Sequence, residues 1–550
     1  MAQTSATPAI SPPARTFLDA MSDHIEANST LWVCVLLLAG FGVRVWRASG
    51  TFLNPDEAFH FLLANQTSWR LAYRASLTAT HPPLLVLLLH AVRSVGTSEM
   101  VLRMPSILAG VAFCWLIYKW ASLVFGRSVA WIAFILALFL PSTLDLSSEV
   151  RQYALLLAFV MAAAYLLERA LHTNSASAML FSDLCLWLAM GSHYSAFLFA
   201  AALGIYSVLR MLARRPGRKV FGLWATGQVV GVALGGFFYV THISGLRQAA
   251  GGPGLIQPYL RTSTYVPGKI NPVFFLLART GGVFQYTFAQ AVVGDLAFLA
   301  FVIGLILLFR KRILTGVPAR LLGALLVLPF LVNGGAALAR AYPYGGTRHS
   351  AFLVPFALAG VSLAVLHLLK HRLAPGIAVT LLVVLCCNLF PRHSQGYMSR
   401  DEQSSARMQS ALEFLGQRPT PQELLFTDNQ SGLVLAYYLC AHHQVDLDHS
   451  VPGFLSFECG GQRVIATDGT TFGFSPSSFC DHWQRLVSQY HLPRGTRVWV
   501  TEMGWNVRLA TELQNYPEFH LAPHFFGHAI QIFDLTVGQA MPDPKLLQTS

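Results

Sequence analysis

The chain has 550 residues, 54% of them hydrophobic and only 12% charged. Soluble domains carry about twice that share of charge, so the composition excludes an ordinary water-soluble globule and points to a polytopic membrane protein. The net charge of +12 divides into +18 over residues 1–397 and −6 over residues 398–550, marking two units in different surroundings and assigning the basic excess to membrane loops, not to nucleic acid.

Residues 1–30 are polar and lack the pattern of a removable signal, so they read as a cytoplasmic tail ahead of a retained anchor. Apolar runs follow at 31–47, 100–124, 128–145, 151–171, 177–190, 193–213, 220–241, 292–310, 318–338, 349–369 and 373–390, about eleven predicted spans. Their connections alternate in charge. "VFGRSV", "LERALHTN", "LARRPGRK", "LFRKRILTGVPAR" and "LKHRLAP" are all basic and are expected in the cytoplasm. Residues 48–99, "DLSSEVRQ", "MGSHYS", 242–291 and "LARAYPYGGTRHS" are then outside, and the odd span number places residues 391–550 outside as well. "HPPLLVLLLHAVRSVG" at 81–96 is too short to cross after Pro83 and reads as a juxtamembrane or re-entrant helix, while 57–79 reads as amphipathic surface helices.

Polar residues gather on the expected outer rim. Asp56 and Glu57 follow the turn-forming Asn54-Pro55. A carboxylate there suits a general base, and the alternative is a helix N-cap in which the acids favour the positive end of the dipole; the two are compatible. Glu149 and Arg151 stand where a span leaves the membrane, as a phosphate-binding fork with its holder or as an interfacial salt bridge, with Tyr153 in an aromatic belt. His193 and Tyr194 suit substrate hydrogen bonds or interfacial anchoring. Arg340, Arg348 and His349 bring external positive charge against the usual bias, which points to an anionic partner such as a lipid phosphate, the alternative being a plain headgroup contact. His81 with His193 and His349 lacks metal-ligand spacing, so no metal is expected, and "AHHQVDLDH" at 441–449 reads as an exposed polar loop. No nucleotide-binding or nucleophile-elbow motif occurs, so no cofactor is expected and any activated substrate must come from the membrane.

Residues 398–550 mix a predicted helix, "DEQSSARMQSALEFLGQ", with strand-like "ELLFTD", "RVIATD", "RVWVTEM" and "AIQIFDL", as one small α/β domain. Five cysteines lie in apolar runs; Cys440, Cys459 and Cys480 lie in this tail, where one disulfide is possible.

Taken in order, "NPDEAFH", "HPPLLVLLL" with "GTSEMVLRMPSILAG", the basic "FGR" turn, "SSEVRQYALLLAF", "GSHYSAFLF" and "TRHSAFLVPFALAG" resemble the GT-C superfamily of integral-membrane glycosyltransferases. The resemblance covers about residues 30–390 and is greatest to the branch of protein O-mannosyltransferases and bacterial aminoarabinose transferases. It implies a polytopic α-helical fold, a polyprenyl-phosphate sugar donor and an external catalytic acid in the first loop. On this sequence that acid is Asp56, with Glu57 beside it. Arg348, with Arg340 or Arg151, would stabilise the leaving lipid phosphate, and His81, Glu149, Tyr153, His193 and Tyr194 would line the pocket. The family often has an aromatic residue after the late arginine; His349 stands there instead.

The expected protein is a multi-pass enzyme with a cytoplasmic tail (1–30), a transmembrane unit (31–397) with external loops 48–99 and 242–291, and an extracytoplasmic α/β domain (398–550). It would pass a monosaccharide, by inversion, from its lipid donor to an unidentified glycan, lipid or protein, and loop 242–291 would cover the site. Removing the tail at residue 397 would alter acceptor use before donor binding. The rivals are a transporter or flippase of lipid-linked substrates and a non-catalytic scaffold; rim-clustered charges and the lack of a repeat disfavour transport.

Overall fold

The computed structural model describes residues 17–249, 258–311, 313–390, 398–417, 423–469, 473–516 and 521–539. A short helix α1 (Phe17–Ala27) leads into α2 (Ser29–Ala48). The first loop then folds into three short helices, α3 (Pro55–Ala64), α4 (Trp69–Ser76) and α5 (Leu84–Val92). With nine residues α5 is too short to cross a bilayer, as its sequence indicated.

The membrane unit continues with α6 (Glu99–Val124), α7 (Arg127–Phe139), α8 (Pro141–Ser148), α9 (Tyr153–Thr173), α10 (Ala176–Ser192), α11 (Ser195–Ala213) and α12 (Arg218–Phe238). A π-turn at 239–243 carries α12 into α13 (Ser244–Ala249). Then come α14 (Pro272–Phe288), α15 (Ala291–Arg310), a hairpin of β1 (Ile313–Leu314) and β2 (Val317–Pro318), α16 (Ala319–Leu338), α17 (Val354–Leu368) and α18 (Leu373–Leu389). Among the described residues eight helices are long and apolar enough to span, nine if α7 and α8 count as one bent span, and α10 and α18 are shorter apolar helices.

Two elements depart from the sequence reading. The run at 128–145 is not one straight helix: α7 and α8 meet at 56°. Leu140 adopts an extended conformation before Pro141, which has no N–H to continue the ladder. The expected loop 242–291 is largely helical where described, because α14 starts at an Asn271 cap and Pro272 and runs 17 residues; residues 250–257 lie outside the described set.

The tail carries α19 (Ser405–Gln417), β3 (Leu424–Thr427), α20 (Asn429–Leu439), β4 (Phe454–Cys459), β5 (Gln462–Thr467), α21 (Pro476–Gln489), β6 (Arg497–Met503), α22 (Leu509–Leu513), β7 (His524–Phe525) and β8 (Ile530–Thr536). Its sheet has the order β4-β5-β3-β6-β8-β7, with β5, β3 and β6 parallel and the outer pairs antiparallel. Cys440 and Cys459 form a disulfide from the end of α20 to β4, and Cys480 is free and buried.

The tail is sewn onto the first loop. Phe52 N–H donates to Gln403 O and Ser405 N–H to Gly50 O, both at 2.9 Å. Leu53 N–H donates to Tyr438 Oη at 2.9 Å, and Phe61 packs edge-on against Tyr437. Gly504, with φ +114°, lies against Pro55: a Cβ there would stand 2.6 Å from the proline Cγ, so only glycine permits the approach.

Candidate active site

The first turn of α3 sets the geometry. Asn54 Oδ1 accepts from Glu57 N–H and Glu57 Oε2 accepts from Asn54 N–H, both at 3.0 Å, a reciprocal capping box with Pro55 at the first helical position. The cap turns the adjacent acids in different directions.

Glu57 is fully buried. The Arg103 fork donates through Nε to Oε1 and through Nη2 to Oε2, each at 2.7 Å. Val150 N–H donates to Oε1 at 2.9 Å and Gln403 Nε2 to Oε2 at 3.1 Å. Arg103 spends its other donors on Ala48 O, Thr51 O and Oγ1, and Phe52 O. Glu57, expected beside the catalytic acid, has both its oxygens committed to binding the first loop, the 149–151 corner and the tail together.

Asp56 points the other way, with its side chain 27% exposed. Arg348 Nη2 donates to Oδ2 at 3.0 Å, and Arg151 pairs with the same oxygen. Burial by itself would raise the Asp56 carboxyl, but Arg151 and Arg348 outweigh it and hold the group below its ordinary value. Both guanidiniums also lie over Tyr153, at 5.7 and 6.0 Å from the ring centre.

An imidazole wall stands beside this triad. His60, one helical turn after Asp56, places Nδ1 2.6 Å from Asp56 O, so Nδ1 carries the proton and Nε2 is left as an acceptor. His81 stacks between His60 and His193, at 6.2 and 5.2 Å between ring centres. His193 Nδ1 accepts from Ser195 N–H, leaving its own Nε2 as a donor. Tyr153 and His349 close the cluster against His193, at 5.1 and 6.0 Å. Burial, then the Arg151 charge, lowers His60 to about 4, and burial and the His193 ring push His81 well below its ordinary value, so both are neutral near pH 7.

The remaining residues singled out by sequence are placed differently. Glu149 is half-buried, its carbonyl accepts from Arg151 N–H at 2.8 Å, its carboxyl makes no hydrogen bond or ion pair among the described residues, and it is raised to about 8 by burial and the Glu57 charge. Tyr194 turns to α12 and its neighbour: its hydroxyl pairs with His242, whose Nε2 donates to Ala79 O at 2.8 Å. Arg340 is exposed after the end of α16, with φ +59°, and joins none of these contacts.

Three residues escaped the sequence reading. His60 was recoverable from its four-residue spacing after Asp56, and Arg103 as a charge inside an apolar run. Arg279 of α14 is half-buried without a carboxylate partner among the described residues, and its side chain lies along Gly345, three residues before Arg348. Among the described residues no group of three or more His, Cys, Asp or Glu is arranged to hold a metal ion.

A bundle of apolar helices followed by a small sheet domain gives the chain the fold of the integral-membrane GT-C proteins. Residues 80–235 match the family model described as dolichyl-phosphate-mannose-protein mannosyltransferase. The structure is similar to ArnT from Cupriavidus metallidurans in the apo state, with 14% identity, a TM-score of 0.51 and coverage of 94% of this chain and 100% of that one. For ArnT from the same organism bound to undecaprenyl phosphate the identity is 13% and the TM-score 0.52, at the same coverage. No curated protein matches the chain by sequence.

Proposed function

We propose that the protein transfers a monosaccharide from a polyprenyl-phosphate donor to an acceptor on the outer face of the membrane, with Asp56 as general base. The observation that carries this reading is the Asp56 carboxylate held between Arg151 and Arg348 beside a wall of neutral imidazoles. The match of residues 80–235 to a dolichyl-phosphate-mannose-dependent family supports it, as does the likeness to a protein crystallised with undecaprenyl phosphate. The outward orientation is supported by the basic connections on alternate sides and by the Cys440–Cys459 disulfide, a bond suited to an oxidising compartment.

The two arginines keep Asp56 ionised but a weak base. A donor phosphate arriving at the rim competes for the same guanidiniums, which raises the proton affinity of the carboxylate as the substrate binds. The acceptor hydroxyl or amine gives its proton to Asp56 as its lone pair attacks the anomeric carbon. The bond from that carbon to the phosphate oxygen breaks with its electron pair, and polyprenyl phosphate departs with its charge met by Arg348, Arg151 and Arg279. A single displacement inverts the anomeric centre. Neutral Glu149, Tyr153 and the imidazoles of His60, His81, His193 and His349 hydrogen-bond and orient the sugar, while Glu57 holds the loop that carries the base. Residues 31–397 serve as the transfer unit and 398–550 as an extracytoplasmic domain that shapes the acceptor side.

Asp56→Asn tests the reading. With a radiolabelled polyprenyl-phosphate sugar in vesicles, the variant should bind donor and lose transfer by about 10²–10⁴-fold, the range of general-base deletions. Unchanged transfer would falsify the assignment.

A further inference from the structure

Three of the basic connections, which the proposed reaction leaves unused, converge in space. The turn after α6, the connection after α15 and the end of α17 enclose a groove of about 190 Å³. Its floor is apolar, formed by Leu307, Leu363 and Leu366, and its rim carries Arg127, Lys311 and His371, all exposed. Among the described residues no acidic side chain lines it.

The groove is held in shape. The β1–β2 hairpin turns through Thr315 at φ +49° and Gly316 at φ +78°, the left-handed pair that a two-residue hairpin needs. Thr315 Oγ1 donates to Val124 O at 2.6 Å, tying the connection that carries Lys311 to the end of α6. The active site lies at the opposite end of α6, where Glu99 accepts from Tyr438 of the tail. With 26 residues in α6, the two ends are about 39 Å apart at 1.5 Å per residue.

We propose that this groove binds an anionic phospholipid in the leaflet opposite the active site. The phosphate sits at Arg127 and Lys311 and one acyl chain lies along Leu307, Leu363 and Leu366. Glu26 reaches the lining Ser128 Oγ at 3.5 Å, but Arg127 and Lys311 leave the rim with positive charge in excess, which selects an anion. The apolar floor, formed between spanning helices, selects a lipid over a soluble phosphate, because a chain there is removed from water. This assignment does not rest on the proposed reaction.

Native mass spectrometry of the full-length protein, released from nanodiscs of equal phosphatidylglycerol and phosphatidylcholine, tests it. The wild type should retain phosphatidylglycerol in preference. Arg127→Ala with Lys311→Ala should lower that preference about tenfold, since each cation near a membrane surface attracts anionic lipid appreciably. Leu363→Trp fills the groove with its charges in place and should lower retention comparably. Arg214→Ala with Arg215→Ala, exposed cations that do not line the groove, should behave as wild type. The proposal is overturned if the wild type shows no preference, or if the Arg214/Arg215 control loses as much as the Arg127/Lys311 variant. It is equally overturned if Leu363→Trp retains the lipid fully, or if soluble glycerol 3-phosphate displaces it.

Discussion

Asp56 and Glu57 are neighbours with opposite duties, and the difference lies in what surrounds each carboxylate. Glu57 neutralises the buried Arg103, so Glu57→Gln leaves a guanidinium without its counter-charge. The expected loss is about 3–5 kcal/mol of stability, read by denaturant unfolding in detergent, and Arg103→Met added to it should cost less than the two single changes combined. Glu149 makes the opposite case. Its carboxyl is raised to about 8 from an ordinary 4.5. Between those values the folded chain keeps a proton that the unfolded chain releases, so this contribution to stability is complete below about pH 4.5 and is lost as pH rises through 8. Glu149→Gln should therefore melt like wild type near pH 4.5 and progressively higher than wild type toward pH 8; a pH-independent difference would count against this. The residue types and rim positions of Asp56, Arg151, Tyr153, His193 and Arg348 were readable from sequence. That Glu57 turns inward was not, because its partners Arg103, Val150 and Gln403 are far along the chain.

At the scale of elements, periodicity located the spans but not their bends. The signal for the α7–α8 break was present in Pro141, and its consequence lies in the packing. The bend lets α8 place Ser147 against the buried Arg44, whose Nε donates to it at 2.8 Å, and Asp145 against Arg47. It also delivers the 149–151 corner to the first loop. The helix α20 is the other decisive element, since Tyr437 and Tyr438 reach from it to Thr97 and Glu99 at 2.7 and 3.0 Å. Its end is held by the Cys440–Cys459 bond, which closes a loop of 19 residues. Cys440→Ser with Cys459→Ser should lower stability by about 3 kcal/mol, measured as a fall in melting temperature that reductant reproduces in the wild type and does not deepen in the variant.

At the scale of the whole molecule, the tail is part of the site's frame. Gln403 donates to Glu57, Tyr438 accepts from Leu53 and Gly504 lies on Pro55. Truncation at residue 397 is therefore expected to reduce donor binding and melting temperature together, instead of altering acceptor use first as the sequence suggested. Donor binding retained at wild-type strength by the truncated chain would show the frame to be self-sufficient.

Composition and hydropathy by themselves determined that this chain lives in a membrane, roughly where it crosses, and that a small α/β unit follows the last span, because those properties depend on local pattern and on the cost of leaving polar groups in hydrocarbon. Which acid stays partly exposed, which arginine pairs with which carboxylate, and how three basic turns come to share one groove were decided only by tertiary structure. Those outcomes depend on contacts between residues tens to hundreds of positions apart, and no local pattern carries that information.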